Sequence, residues 1–181
     1  MKGPIEVLQD CVGRLEKMNI DYFLVGSLAA MVYSRPRYTN DIDLVVQVSS
    51  SQAKLFAAAF PIQDYYCPPI EILFDEISNQ GSFNLINQAS GIKIDVVVHK
   101  KTEFYKSEML RRRQVDLIPG FSVFVASPED IILKKLDFFR EGGSAKHLDD
   151  IRQILAFTVV DRGYLDKWIV QLGLNIEWGQ I

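Results

Sequence analysis

The chain has 181 residues, 48% of them hydrophobic and 24% charged, with a formal net charge of −3. That length and apolar content suffice for one well-buried core, and the charged fraction is that of an ordinary globular protein, which excludes a disordered chain. The slight acidity excludes a basic footprint over the whole molecule, so any nucleic-acid contact has to come from a local patch.

Ile5, Leu8, Val12 and Leu15 recur at helical spacing and predict a first helix over residues 5–18. Asn19 to Asp21 break it. Tyr22 to Val25 reads as a strand, Gly26-Ser27 as a turn, and Leu28 to Tyr33 as a helix too short to stand alone. Ser34 to Asn40 is a loop, because Pro36 disfavours helix at Arg35. Ile42 to Val48 is a buried strand. Ser49-Ser50-Ser51 offers a cap for a helix from Gln52 to Phe60, which Pro61 follows. Ile62 to Ile77 reads as strand, loop and short helix.

Phe83 to Asn87 and Ile92 to His99 form a hairpin pattern around Ser90-Gly91. Lys101 to Arg113 predicts a helix, and Val115 to Val125 a strand pair turning at Pro119-Gly120. Ser127-Pro128-Glu129-Asp130 is a helix start, with Ser at the cap, Pro in the first turn and acids near the N-terminus. Helices follow at 128–140, 145–157 and 161–172. After Gly173 the only feature is Trp178, expected to dock on the helical half. The layout predicts an α/β (α+β) chain: a small mixed sheet with flanking helices over residues 1–126, then a helical portion over 127–181.

Cys11 and Cys67 lack ligand-like neighbours at zinc spacing, which reads as a reduced, cytoplasmic chain. No run approaches the roughly 18 apolar residues of a membrane span, and MKGPIEVLQD lacks the apolar stretch of a signal peptide. No membrane partner is expected.

The chemistry concentrates in the strand that opens with Asp41, Ile42, Asp43 and Leu44. Residues two apart in a strand face the same side, about 6–7 Å apart at their Cα atoms. Two carboxylates that close repel unless a cation lies between them, and oxygen donors suit magnesium, which commonly accompanies phosphates. Asp95, a lone acid in the β-prone run Ile92 to Val98, is a third candidate ligand; Lys93 shares its face and offers it a different cation. Gly26-Ser27, at a strand end before a helix, permits close approach of an anion to backbone N–H groups and adds a hydroxyl. Asp41 and Asp43 as a plain loop-to-strand entry is the competing reading, and Gly26-Ser27 with Asp95 tips the balance to metal.

Gly26-Ser27, then Arg37-Tyr38-Thr39-Asn40-Asp41-Ile42-Asp43-Leu44, then Asp95 resembles the DNA polymerase β-type nucleotidyltransferase superfamily. The resemblance implies a nucleotidyltransferase core in residues 1–126. It implies that Asp41, Asp43 and Asp95 are catalytic and hold two Mg²⁺ or Mn²⁺ ions. It also implies that Gly26 and Ser27 meet the triphosphate of an NTP substrate, and that Arg37 and Thr39, in the basic loop of an Arg-x-Thr-x-Asp-x-Asp pattern, bind on the nucleotide side, Arg37 toward the phosphates.

Ser127 to Leu155 resembles the AbiEii-type branch known from toxin–antitoxin and phage-defence systems, implying nucleotide-side roles for Lys135 and Asp150. His147 stands where that branch usually has Asp, and the choice between Lys134 and Lys135 stays open. The implied reaction moves NMP from NTP to a hydroxyl acceptor on tRNA or a partner protein. Small-molecule nucleotidyl transfer of the antibiotic-resistance kind and a non-catalytic NTP-binding antitoxin or scaffold are the alternatives. Aspartyl-phosphate hydrolases also place two acids at a strand end, but leave Gly26-Ser27 unexplained. The basic run Arg111-Arg112-Arg113 reads as a solvated helix face or as an RNA contact.

Overall fold

The computed structural model describes residues 3–36 and 39–181. The elements in chain order are α1 (Pro4–Lys17), β1 (Asp21–Val25), α2 (Gly26–Val32), β2 (Ile42–Gln47), a 3₁₀ turn (Ser50–Gln52), α3 (Ala53–Ala59), β3 (Tyr65–Tyr66), α4 (Ile70–Ser78), β4 (Ser82–Asn87) and β5 (Lys93–Val98). They continue with α5 (Glu103–Arg111), β6 (Arg113–Ile118), β7 (Phe121–Val125), α6 (Pro128–Gly142), α7 (Ala145–Phe157), α8 (Arg162–Leu172) and α9 (Asn175–Trp178). Among the described residues the strands form one mixed sheet in the order β3-β4-β5-β2-β1-β7-β6. Pairs β1–β7 and β2–β5 are parallel and the remaining pairs antiparallel.

The two central strands owe their place to alternation. Ile42, Leu44 and Val46 of β2 are fully buried, as is Ile94 of β5, and Val96 and Val98 are nearly so. Their burial fixes register, because a slip of one residue would turn every one of these side chains to the opposite face. The core continues from the sheet into the helices that follow Ala126, through Ile132, Leu136, Ile151 and Leu165. The start of α6 follows its sequence: the Ser127 hydroxyl accepts the Asp130 N–H at 3.2 Å, and Pro128 occupies the first turn.

Three expected boundaries move. The short helix begins at Gly26 itself, so Gly26-Ser27 is its first turn and not a separate bend. The helix expected over 101–113 starts after its Thr102 cap and stops at Arg111. Arg113 is drawn into an edge strand by pairing with Val125, a long-range contact that local helix pattern does not contain. The residues after Gly173 form α9, and the Arg162 guanidinium of α8 lies 5.8 Å from the Trp178 ring centre. Among the described residues no helix is long and apolar enough to cross a membrane.

Candidate active site

β1 and β2 are antiparallel with Val25 opposite Asp43; β2 and β5 are parallel with Asp43 opposite Asp95. Neighbouring strands lie about 4.8 Å apart, so two acids more than fifty positions apart in sequence stand side by side on one sheet face. The other face takes the apolar neighbours of each, which leaves the carboxylates on the side that carries the site. Gly26 completes the junction. It has φ +67, and a Cβ placed on it would lie 2.0 Å from the Asp43 carboxylate Oδ2. The Asp43 side chain therefore occupies the space that any other residue at position 26 would need.

Burial, then the fields of Asp95 and Asp41, push the Asp43 carboxyl up to about 6, with Lys93 and Lys135 opposing. Asp41 is exposed just ahead of β2, and its N–H donates to the Thr39 hydroxyl at 3.2 Å. Asp95 meets the Lys93 ammonium at 2.8 Å, with both side chains substantially exposed. Among the described residues no three Asp, Glu, His or Cys side chains are gathered into a ready ion-binding group. The donor chemistry nevertheless fits a hard divalent cation. All three groups are carboxylates, the charges of Asp95 and Asp41 make ionised Asp43 costly in the absence of a cation, and the Lys93 pair is of the exposed kind that contributes little. Arg37 lies outside the described residues.

A cavity of about 430 Å³ opens over this face. Gly26, Ser27 and Asp43 line one side and Lys134 and Lys135 of α6 the other. A larger groove of about 660 Å³ around Lys54, Glu71 and Phe74 contains none of the candidate acids. Both lysines thus reach the cavity, in different ways. Lys135 is nearly buried and its ammonium donates to Asp150 at 2.6 Å. Lys134 donates to the Tyr105 hydroxyl at 2.8 Å and lies 4.0 Å from that ring's centre. Asp150 is what makes the buried Lys135 tolerable. Asp150→Ala is expected to cost about 3 kcal/mol, because a buried charge loses its partner; urea unfolding would measure it, and an unchanged midpoint would refute the pairing.

His147 also lines the cavity, beside Phe138, and its Nδ1 is buried without a partner. The basic run is used inside the fold. Arg111 reaches Glu129 at 3.1 Å and stacks on Tyr164, while Arg112 reaches Asp21 at 2.8 Å across the Phe124 ring. These arginines clamp the segment before β6 onto α6, α8 and β1.

Sequence reasoning missed Tyr105 and Glu108, which line the cavity from α5. A signal existed for Glu108. It follows Phe104 by four residues and precedes Met109, so it falls on the buried side of its helix.

The fold is that of nucleotidyltransferase-like proteins. The chain is similar to an antigenic nucleotidyltransferase-like protein from Paracoccidioides brasiliensis, with 23% identity over 85% of this chain and 75% of that one, at a TM-score of 0.52. It is similar to ANT(2″)-Ia in complex with adenylyl-2″-tobramycin, with 13% identity over 98% of this chain and 97% of that one, at 0.52. It is also similar to the lincosamide antibiotic adenylyltransferase LnuA, lincomycin-bound, with 12% identity over 82% and 94%, at 0.53. No family model and no curated protein matches the chain.

Proposed function

We propose that the protein is a nucleotidyltransferase that moves a nucleoside monophosphate from an NTP to a hydroxyl acceptor. The observation that carries this reading is the in-register placement of Asp43 beside Asp95, with Gly26 pressed against Asp43. Asp41, Asp43 and Asp95 are the residues that would hold Mg²⁺ or Mn²⁺. Such ions, when bound, offset phosphate charge and lower the pKa of the attacking hydroxyl.

The chain's own groups supply the rest. Gly26 allows the triphosphate close to the backbone, and the Ser27 hydroxyl orients it. Lys135, held in place by Asp150, sets positive charge against the phosphates as negative charge develops on the leaving pyrophosphate. The acceptor oxygen bonds to the α-phosphorus, the bond between α-phosphorus and bridging oxygen breaks, and pyrophosphate leaves with that electron pair. The hydroxyl proton leaves to solvent on the open Asp41 side.

The acceptor in this reading is tRNA or a partner protein, and the AbiEii-like pattern of Ser127 to Leu155 supports a toxin–antitoxin or phage-defence setting for it. A small-molecule acceptor is the second reading, favoured by the similarity to ANT(2″)-Ia over nearly the full length of both chains. Incubating the purified protein with each α-labelled NTP and Mg²⁺ or Mn²⁺ tests the proposal. The acceptor arms are bulk tRNA, cell-lysate protein, and an aminoglycoside and lincosamide panel. Label on one acceptor class, with pyrophosphate released, is the expected result and names the acceptor. No label on any arm and no pyrophosphate would defeat the proposal.

A further inference from the structure

The cavity does not end at the acids. Two residues beyond Asp43 and Asp95 on the same sheet face, Val45 and Val97 stand in register and form an apolar floor. Past that floor lie Tyr105, Glu108 and Lys134. Glu108 is 1% exposed, and neither of its carboxyl oxygens has a hydrogen-bond partner. A buried polar group left unpaired in this way demands a reason, because it has given up water for nothing. Lys134 does not supply one: its ammonium donates to Tyr105, and no hydrogen bond joins it to Glu108.

Burial raises the Glu108 carboxyl to about 8, with Lys134 opposing and Asp130 adding. At neutral pH the group is therefore a carboxylic acid, with one O–H donor next to one acceptor oxygen. Three lysines, Lys100, Lys134 and Lys135, line the same cavity. They offer cations to the phosphates of an occupant beside Gly26 and Ser27, while Asp43, Asp130, Asp137 and Glu141 line the cavity as well. A nucleobase presents an adjacent donor and acceptor on a flat apolar ring, which matches the acid and the valine floor together. A turn of the flexible Glu108 side chain toward the ring would end its unpaired state, so binding recovers what burial cost.

We propose that Glu108 reads the hydrogen-bonding edge of the NTP's base as it lies on Val45 and Val97, and so determines which nucleotide the site accepts. The inference rests on the nucleotidyl-transfer reading above and assigns it a specificity-determining residue. The test is equilibrium binding of ATP, GTP, CTP, UTP and inorganic tripolyphosphate to the wild-type protein, Glu108→Leu and Glu108→Gln, with no acceptor present. Wild type is expected to prefer one base. Glu108→Leu should weaken that NTP about 10-fold or more, since a base edge loses its partner, while tripolyphosphate stays within about 2-fold. Glu108→Gln keeps a donor and an acceptor in nearly the same shape and should retain the preference.

Leucine at an apolar helix face removes an unpaired acid, so that variant should melt no lower than wild type. Three results would overturn the inference: no base preference in wild type, an intact preference in Glu108→Leu, or parallel loss of tripolyphosphate and NTPs. If wild type binds neither tripolyphosphate nor any NTP, the nucleotidyl-transfer reading fails first and this one with it.

Discussion

Asp43→Asn should lower nucleotidyl transfer by about 10³-fold or more, the scale seen when a preorganised electrostatic group is removed from a reacting centre, and should make the metal-free protein more stable. The two effects have one cause. Asp43 sits where β2 meets both β1 and β5, next to Asp95, and burial and its acidic neighbours push its carboxyl up to about 6. An unfolded Asp ionises near 3.9. Between those values the folded state holds the extra proton, so stability falls as pH rises through about 4 to 6, and the full cost is present above that window. Asparagine carries no such cost. In EDTA, its melting temperature should exceed wild type at pH 7.5 and converge with it near pH 4. Added Mg²⁺ should then raise the melting temperature of wild type and leave Asp43→Asn nearly unmoved, because only a state that binds the ion gains from it. An Asn variant that keeps wild-type turnover with Mg²⁺ would refute the assignment. One that melts well below wild type at pH 7.5 would show that Asp43 is a structural acid with partners of its own.

How much of this was legible beforehand follows the range of the interactions involved. The alternation of Ile42 with Asp43 and of Ile94 with Asp95 is local, and it identified both strands and their polar faces. The helix start at Ser127-Pro128 is equally local and formed where expected. Neighbourhood across the sheet is another matter: that Asp95 falls opposite Asp43, and not a pair of residues away, is set by the packing of buried valines and isoleucines from several elements. The end of α5 shows the same limit, since β7 recruits Arg113 into pairing that nothing in Lys101 to Arg113 announces. Arg111 and Arg112 looked like a free basic face because their acidic partners, Glu129 and Asp21, are far off in the chain. Lys93 offered Asp95 a partner from the start, and the two do meet. Glu108 was the opposite case: a single acid in an apolar helix face is visible in sequence, but only the fold shows that its burial leaves it unpaired beside a cavity.

Gly26→Ala is the sharper test of whether the glycine and the acid form one unit. Position 26 has φ +67, where an L side chain costs about 1 kcal/mol or somewhat more. That strain is the lesser part. The new Cβ would sit 2.0 Å from Asp43 Oδ2 and 2.7 Å from its Cγ, so either the carboxylate swings away or α2 shifts off β2. A displacement near 1 Å at a reacting centre can cost about 100-fold in rate. The expected result is a turnover loss of at least that size, together with about 2–3 kcal/mol of stability, on the scale of overpacking a tight contact. The double mutant separates clash from backbone strain. In an Asp43→Ala background the oxygen and Cγ are gone, and only the position 43 Cβ, at 3.0 Å, remains in the way. The stability cost of Gly26→Ala should then shrink toward the backbone strain of about 1 kcal/mol. Equal costs in both backgrounds, by urea unfolding, would mean that Gly26 serves the left-handed turn alone. Its contact with Asp43 would then carry no energy, and the argument that joins the Gly-Ser turn to the acidic strand would lose its physical link.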